Sequence, residues 1–105
     1  MKSVLAIAVL AFLPTAHAIG VSFEVTPGCI FSKSTATCIV ENKSESEVAC
    51  DVTMTVTTFT NQKYVVRRAP IIQAQRFDDS LKFWTPSADV IVSVTTEGTC
   101  TINQP

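Results

Sequence analysis

The sequence predicts an all-β chain, a small antiparallel β-sandwich of six or seven strands with two disulfides. Three observations predict it. Residues 19–105 hold 13 threonines and 11 valines, and β-branched side chains suit a pleated, half-buried surface better than a helix. Apolar side chains recur at every second position in stretches that turn-forming residues separate at intervals of about 8 to 15 residues. Four cysteines follow an export leader, an even number bound for an oxidising compartment.

The leader comes first. Lys2 gives a basic start, Val4 to Leu13 is an unbroken apolar run, and Ala16-His17-Ala18 places small residues at a cleavage site. The run is about ten residues long, against roughly 20 for a membrane-spanning helix, so no membrane insertion is expected after cleavage. The first cysteine is Cys29, which offers no N-terminal lipid anchor. The expected organisation is a signal peptide over 1–18 and one domain over 19–105, secreted or periplasmic.

The first strand is expected where Val21, Phe23 and Val25 share one face and Ser22 and Glu24 the other, with Pro27-Gly28 ending it. Cys29 then falls in the following loop. Ala36, Cys38 and Val40 alternate with Thr37, Ile39 and Glu41 in a second strand. The polar stretch 42–46 reads as a hairpin turn into the clearest strand of the chain. There Val48, Cys50, Val52, Met54 and Val56 point one way and Ala49, Asp51, Thr53, Thr55 and Thr57 the other, the pattern of a sheet with one wet face.

Beyond Asn61 the pieces shorten to Tyr64-Val65-Val66, Ile71-Ile72 and Leu81 to Trp84. Ala74, Phe77, Leu81 and Trp84 could line a helix, whereas Asp78-Asp79-Ser80 reads as a turn between short strands. The β reading is taken because the flanking chain is β. In the last strand Ala88, Val90, Val92 and Val94 alternate with Asp89, Ile91, Ser93 and Thr95, and the same parity reaches Cys100 and Ile102. Gly98 marks an expected bend or bulge. A five- or six-stranded barrel is the alternative closure.

The segment Cys38-Ile39-Val40-Glu41-Asn42-Lys43-Ser44, then Val48-Ala49-Cys50-Asp51-Val52, closing with Cys100, resembles small secreted immunoglobulin-like or fibronectin-like domains of exported proteins. The resemblance implies an immunoglobulin-like sandwich. Four cysteines allow three pairings. Cys38, Cys50 and Cys100 share the apolar parity of their strands, which favours Cys29 with Cys38 and Cys50 with Cys100. Cys29 with Cys100 and Cys38 with Cys50 stays open, because a hairpin centred near Ser44 would set the latter pair opposite each other.

Composition excludes several functions. Without the leader the chain has 7 basic and 9 acidic residues, no footprint for nucleic acid or an anionic membrane. The sole histidine, His17, leaves with the leader, so the commonest general base and the serine and cysteine triads are missing. No zinc spacing, phosphate loop or dinucleotide fingerprint occurs, so no metal or cofactor is expected. Paired carboxylates such as Asp78 with Asp79 or Glu45 with Glu47 would be needed for catalysis, and the chain is read as non-enzymatic.

Two features point to recognition of another protein. Tyr64 to Pro70 holds Arg67 and Arg68 ahead of a proline, which suits either an edge strand blunted by charge or an inhibitory loop for a protease. Phe77, Phe83 and Trp84 lie near Arg76 and Lys82, an aromatic set able to stack on a protein or a glycan. Phe83 and Trp84 cannot both point inward on one strand. Asn42-Lys43-Ser44 matches the N-glycosylation pattern.

Overall fold

The computed structural model describes residues 21–86 and 88–102. The expected leader lies outside the described residues. Eight strands form, and no helix occurs among the described residues: β1 (Val21–Val25), β2 (Gly28–Phe31), β3 (Thr35–Glu41), β4 (Val48–Thr58), β5 (Lys63–Arg68), β6 (Ile71–Ile72), β7 (Phe77–Trp84) and β8 (Ile91–Ile102). The count exceeds the expected six or seven. Cys29 lies in β2 and not in a loop, because Pro27 turns the chain into a second sheet without ending its extension.

All pairings are antiparallel. The larger sheet runs β1-β8-β4-β5, with β6 beside β5 along β4; the smaller runs β2-β3-β7. Pro70 separates β5 from β6, and its carbonyl accepts the Cys50 amide at 2.9 Å, so the ladder resumes beyond the proline. Pro27 is buried where the chain passes between sheets, and the Thr96 hydroxyl donates to its carbonyl at 3.0 Å.

One hydrophobic cluster joins the sheets. Ala36, Cys38, Val40 and Leu81 come from the smaller sheet; Val48, Cys50, Val52, Met54, Val56, Ile72, Ile91 and Cys100 come from the larger. The alternation expected for β4 is realised along the whole strand. Met54 is fully buried, with its sulfur 3.3 Å from Cys38 Sγ. Both disulfides form, Cys29–Cys38 and Cys50–Cys100, each between residues directly opposite on neighbouring strands of one sheet.

The hairpin expected over 42–46 does not form, since β3 and β4 belong to different sheets. Asn42 decides this. Its side chain is buried, and Nδ2 donates to the carbonyls of Ser46 (2.8 Å), Ile72 (2.9 Å) and Gln73 (3.0 Å). Its Oδ1 accepts from the Ser44 amide at 3.0 Å and the Ser44 hydroxyl at 2.7 Å. These bonds anchor a corner that carries the chain across the core, and they leave Cys38 and Cys50 on separate sheets.

Three further expectations are corrected. The β reading holds for Phe77 to Trp84, with no helix over 74–84, but Asp78-Asp79-Ser80 is no turn between strands: it is a bulge inside β7, where three β7 steps oppose two on β3. Asp78 Oδ1 caps the bulge by accepting the Ser80 amide at 2.9 Å. In β8 the bulge lies near Val92, not at Gly98, since the register with β4 slips between Thr57 and Thr58. That slip reverses the expected parity at the strand's start, so Ile91 is buried at 4% exposure and Val92 is 48% exposed. Pairing runs unbroken through Gly98. A Cβ there would sit 2.6 Å from Val52 Cγ1, which is why the position holds no side chain.

Candidate functional site

Arg67 and Arg68 lie on β5, paired with β4 over the whole of Lys63–Arg68. The segment is therefore an edge strand and not a projecting loop. Arg67 stands opposite Thr53, whose other neighbour is Glu97, on the outer face of the larger sheet. It lines a depression of about 410 Å³ with Glu24, Asp51 and Glu97. Arg68 stands opposite inward-facing Val52, and its guanidinium donates to the Arg67 carbonyl at 2.7 Å. Successive strand residues face opposite ways, so the two cations make no common patch.

Phe83 and Trp84 are likewise separated. Phe83 turns inward against Tyr64 with ring centroids 4.9 Å apart and planes inclined at 32°, closing the gap between β5 and β7. Trp84 turns outward and is 66% exposed.

The pairing register shows what Trp84 faces with. Trp84 lies opposite Thr35; Lys82 opposite Thr37, which lies opposite Ile30; Gly28 opposite Ile39; and Phe77 opposite Glu41. All belong to the outer face of the smaller sheet. The bulge in β7 keeps Phe77 on the same face as Trp84 although they are seven positions apart in sequence. Ile30, Phe77 and Trp84 are each more than 60% exposed, and Ile39 adds a smaller area. Large apolar side chains gathered on a solvent-facing sheet are uncommon unless something covers them.

Beside this face runs a groove of about 560 Å³ lined by Pro27, Gly28, Ile30, Ile39, Glu41 and Lys43. It opens because β2 begins at Gly28, opposite Ile39, and leaves the last residues of β3 without a neighbour on that side. The groove carries Lys43, 3.7 Å from Glu41, and across the sheet on β7 Lys82 lies 3.9 Å from Asp79. Exposed pairs of this kind add under about 1 kcal/mol to stability and remain available to a partner.

Among the described residues no three His, Cys, Asp or Glu side chains converge as a metal site. Asp89 has a structural part. Desolvation raises its pKa, but hydrogen bonds from Thr60 and Thr58 and from the Val90 and Thr60 amides outweigh it and hold the carboxyl below its ordinary value. The Thr60 hydroxyl bond, 2.8 Å, ties the β4–β5 turn to the start of β8. Asn42, the sequon asparagine, is 3% exposed with its amide nitrogen fully engaged, so it presents no acceptor in the folded protein.

Sequence reasoning grouped Phe77 with Trp84 but missed Ile30 and Ile39 as their companions. The alternation of β3 would have placed Ile39 outward. Nothing local placed β2 and β7 on either side of it. Comparison with known proteins finds no matching family model, no matching curated protein and no matching solved structure.

Proposed function

We propose that this chain is an exported, non-enzymatic binding module, a small β-sandwich of the immunoglobulin-like or fibronectin-like kind, that holds another protein on the outer face of its smaller sheet. The exposed row of Trp84, Phe77, Ile30 and Ile39 carries this reading. A rigid strand presents the aromatics at little entropic cost, and buried tryptophans dominate binding energy where they occur at interfaces. Two disulfides fit an oxidising compartment, secreted or periplasmic. The architecture has its own cysteine pattern: each bond lies within a sheet, whereas the immunoglobulin disulfide joins the two sheets.

The test is capture from native secretion medium or periplasm with the oxidised protein, beside Trp84→Ala and Arg67→Glu/Arg68→Glu variants. The expected result is a protein partner retained by the arginine variant and lost with Trp84→Ala, while far-ultraviolet dichroism stays that of the parent. A partner lost only with the arginine pair, above all a protease, would overturn this reading in favour of an inhibitor. A glycan retained through Trp84 would keep the surface and change the ligand class.

A further inference from the structure

We propose that β1 is a strand-addition edge that pairs with β1 of a second copy of this chain, antiparallel, about a two-fold axis through Phe23. This surface belongs to the larger sheet and is independent of the aromatic face above.

The four sheet edges are unequally protected. Open edges invite pairing with other chains, and proteins blunt them with charge, proline, bulges or brevity. β5 carries Lys63, Arg67 and Arg68 and is followed by Pro70. β7 has its bulge, with Asp79 inside it and Lys82 beside it. β2 is four residues long and is preceded by Pro27. β1, Val-Ser-Phe-Glu-Val, has no cation, proline or bulge, and its register with β8 is unbroken from Val21 to Val25. Among the described residues no strand pairs with its other side.

Hydrogen-bond alternation shows what that side offers. The Cys50 amide points to Pro70 and so away from β8, which makes Cys50 and Cys100 a non-hydrogen-bonded pair, consistent with their 4.0 Å Cα separation. Cys100 therefore turns its own amide and carbonyl toward β1 and bonds Phe23, its partner there. By the same alternation Ser22 and Glu24 direct theirs to the open edge.

One symmetric register uses all these groups. With the axis at Phe23, Ser22 of each copy meets Glu24 of the other, and the two hydrogen-bonded pairs make four backbone bonds. The Phe23 rings meet as the close, non-hydrogen-bonded pair on the core side, and each Val21 meets a Val25. Val21 is 57% and Phe23 37% exposed in the single chain, so both gain cover. An axis at Glu24 would set two carboxylates opposite each other, which is destabilising. The result is one continuous sheet through both copies.

The test is sedimentation equilibrium of the oxidised protein from an exporting host, over micromolar to millimolar concentration. The parent is expected to dimerise reversibly. Glu24→Pro removes an outward N–H that β8 does not use, and is expected to weaken the dimer by about 100-fold with the melting curve little changed. Ser22→Glu, which faces Glu24 of the partner, should weaken it about five- to tenfold, and Ser22→Lys should strengthen it about as much. Both serine variants lose the same 3.0 Å bond to Thr101, so a fold effect moves them together and the proposed pairing moves them apart. A parent that stays monomeric to millimolar concentration overturns the proposal. So does a dimer on which Ser22→Glu and Ser22→Lys act alike, whether or not Glu24→Pro folds.

Discussion

Replacing Gly98 by alanine tests the reasoning about the core most directly. Gly98 lies between Val25 and Val52 on the two neighbouring strands, and no described glycine has a positive φ, so space and not backbone conformation is at issue. An added Cβ would meet Val52 Cγ1 at 2.6 Å, the Asp51 carbonyl at 3.1 Å and Val25 Cγ2 at 3.1 Å. Overpacking of this kind costs about 1–3 kcal/mol. Against it stands a gain of about 0.5–1 kcal/mol from the stiffer unfolded chain. The net expectation is a loss near 1.5 kcal/mol, or about 6 to 12 °C in Tm for a domain of this size. The assay is urea unfolding of the oxidised protein in a double-mutant cycle with Val52→Ala. Val52 is 1% exposed, so its truncation alone should cost about 2 kcal/mol. In the double variant the new methyl enters the vacated space, and the two losses should fall short of additivity by about 1 kcal/mol. A Gly98→Ala protein more stable than the parent, or strictly additive losses, would refute the steric account.

Four further outcomes are expected. Loop-closure entropy assigns about 4 kcal/mol to Cys50–Cys100, which spans 50 residues, and about 2.7 kcal/mol to Cys29–Cys38, which spans nine; paired cysteine-to-alanine variants compared by denaturant midpoint should lose stability in that order. Asn42→Ala strips the corner of its donors and should cost about 3 kcal/mol, and intact-mass analysis of the secreted protein from a glycosylating host should find Asn42 unmodified. Asp89 has a depressed pKa, so its stabilisation is complete above the ordinary carboxylate value of about 3.9 and is lost as pH falls through the lower native value. The stability difference between parent and Asp89→Asn should hold constant above about pH 5 and shrink below it, as read from unfolding midpoints between pH 6 and pH 2.

Much of the fold was legible because strand periodicity is local. The alternation of Val48 to Val56 and of Ala36 to Val40 told which side chains would be buried, and burial followed. The aromatic site was legible as Phe77, Trp84 and the forced opposition of Phe83. Ile30 and Ile39 come from β2 and β3, which pairing alone brings beside β7.

The sequence by itself determined the all-β class, the inward faces of β3 and β4, and the separation of Phe83 from Trp84, because side-chain direction in a strand depends on nearest neighbours. Tertiary structure decided what depends on distant partners. It turned the stretch after Glu41 into a corner between sheets, since the carbonyls of Ile72 and Gln73 capture Asn42 from about thirty residues away. It set the bulges that reversed Ile91 and Val92 and aligned Phe77 with Trp84, since a bulge exists only relative to the strand it opposes. It chose between cysteine pairings for the same reason: parity could put a sulfur on the inner face, but only the register of β2 on β3 and of β4 on β8 set each sulfur against its partner.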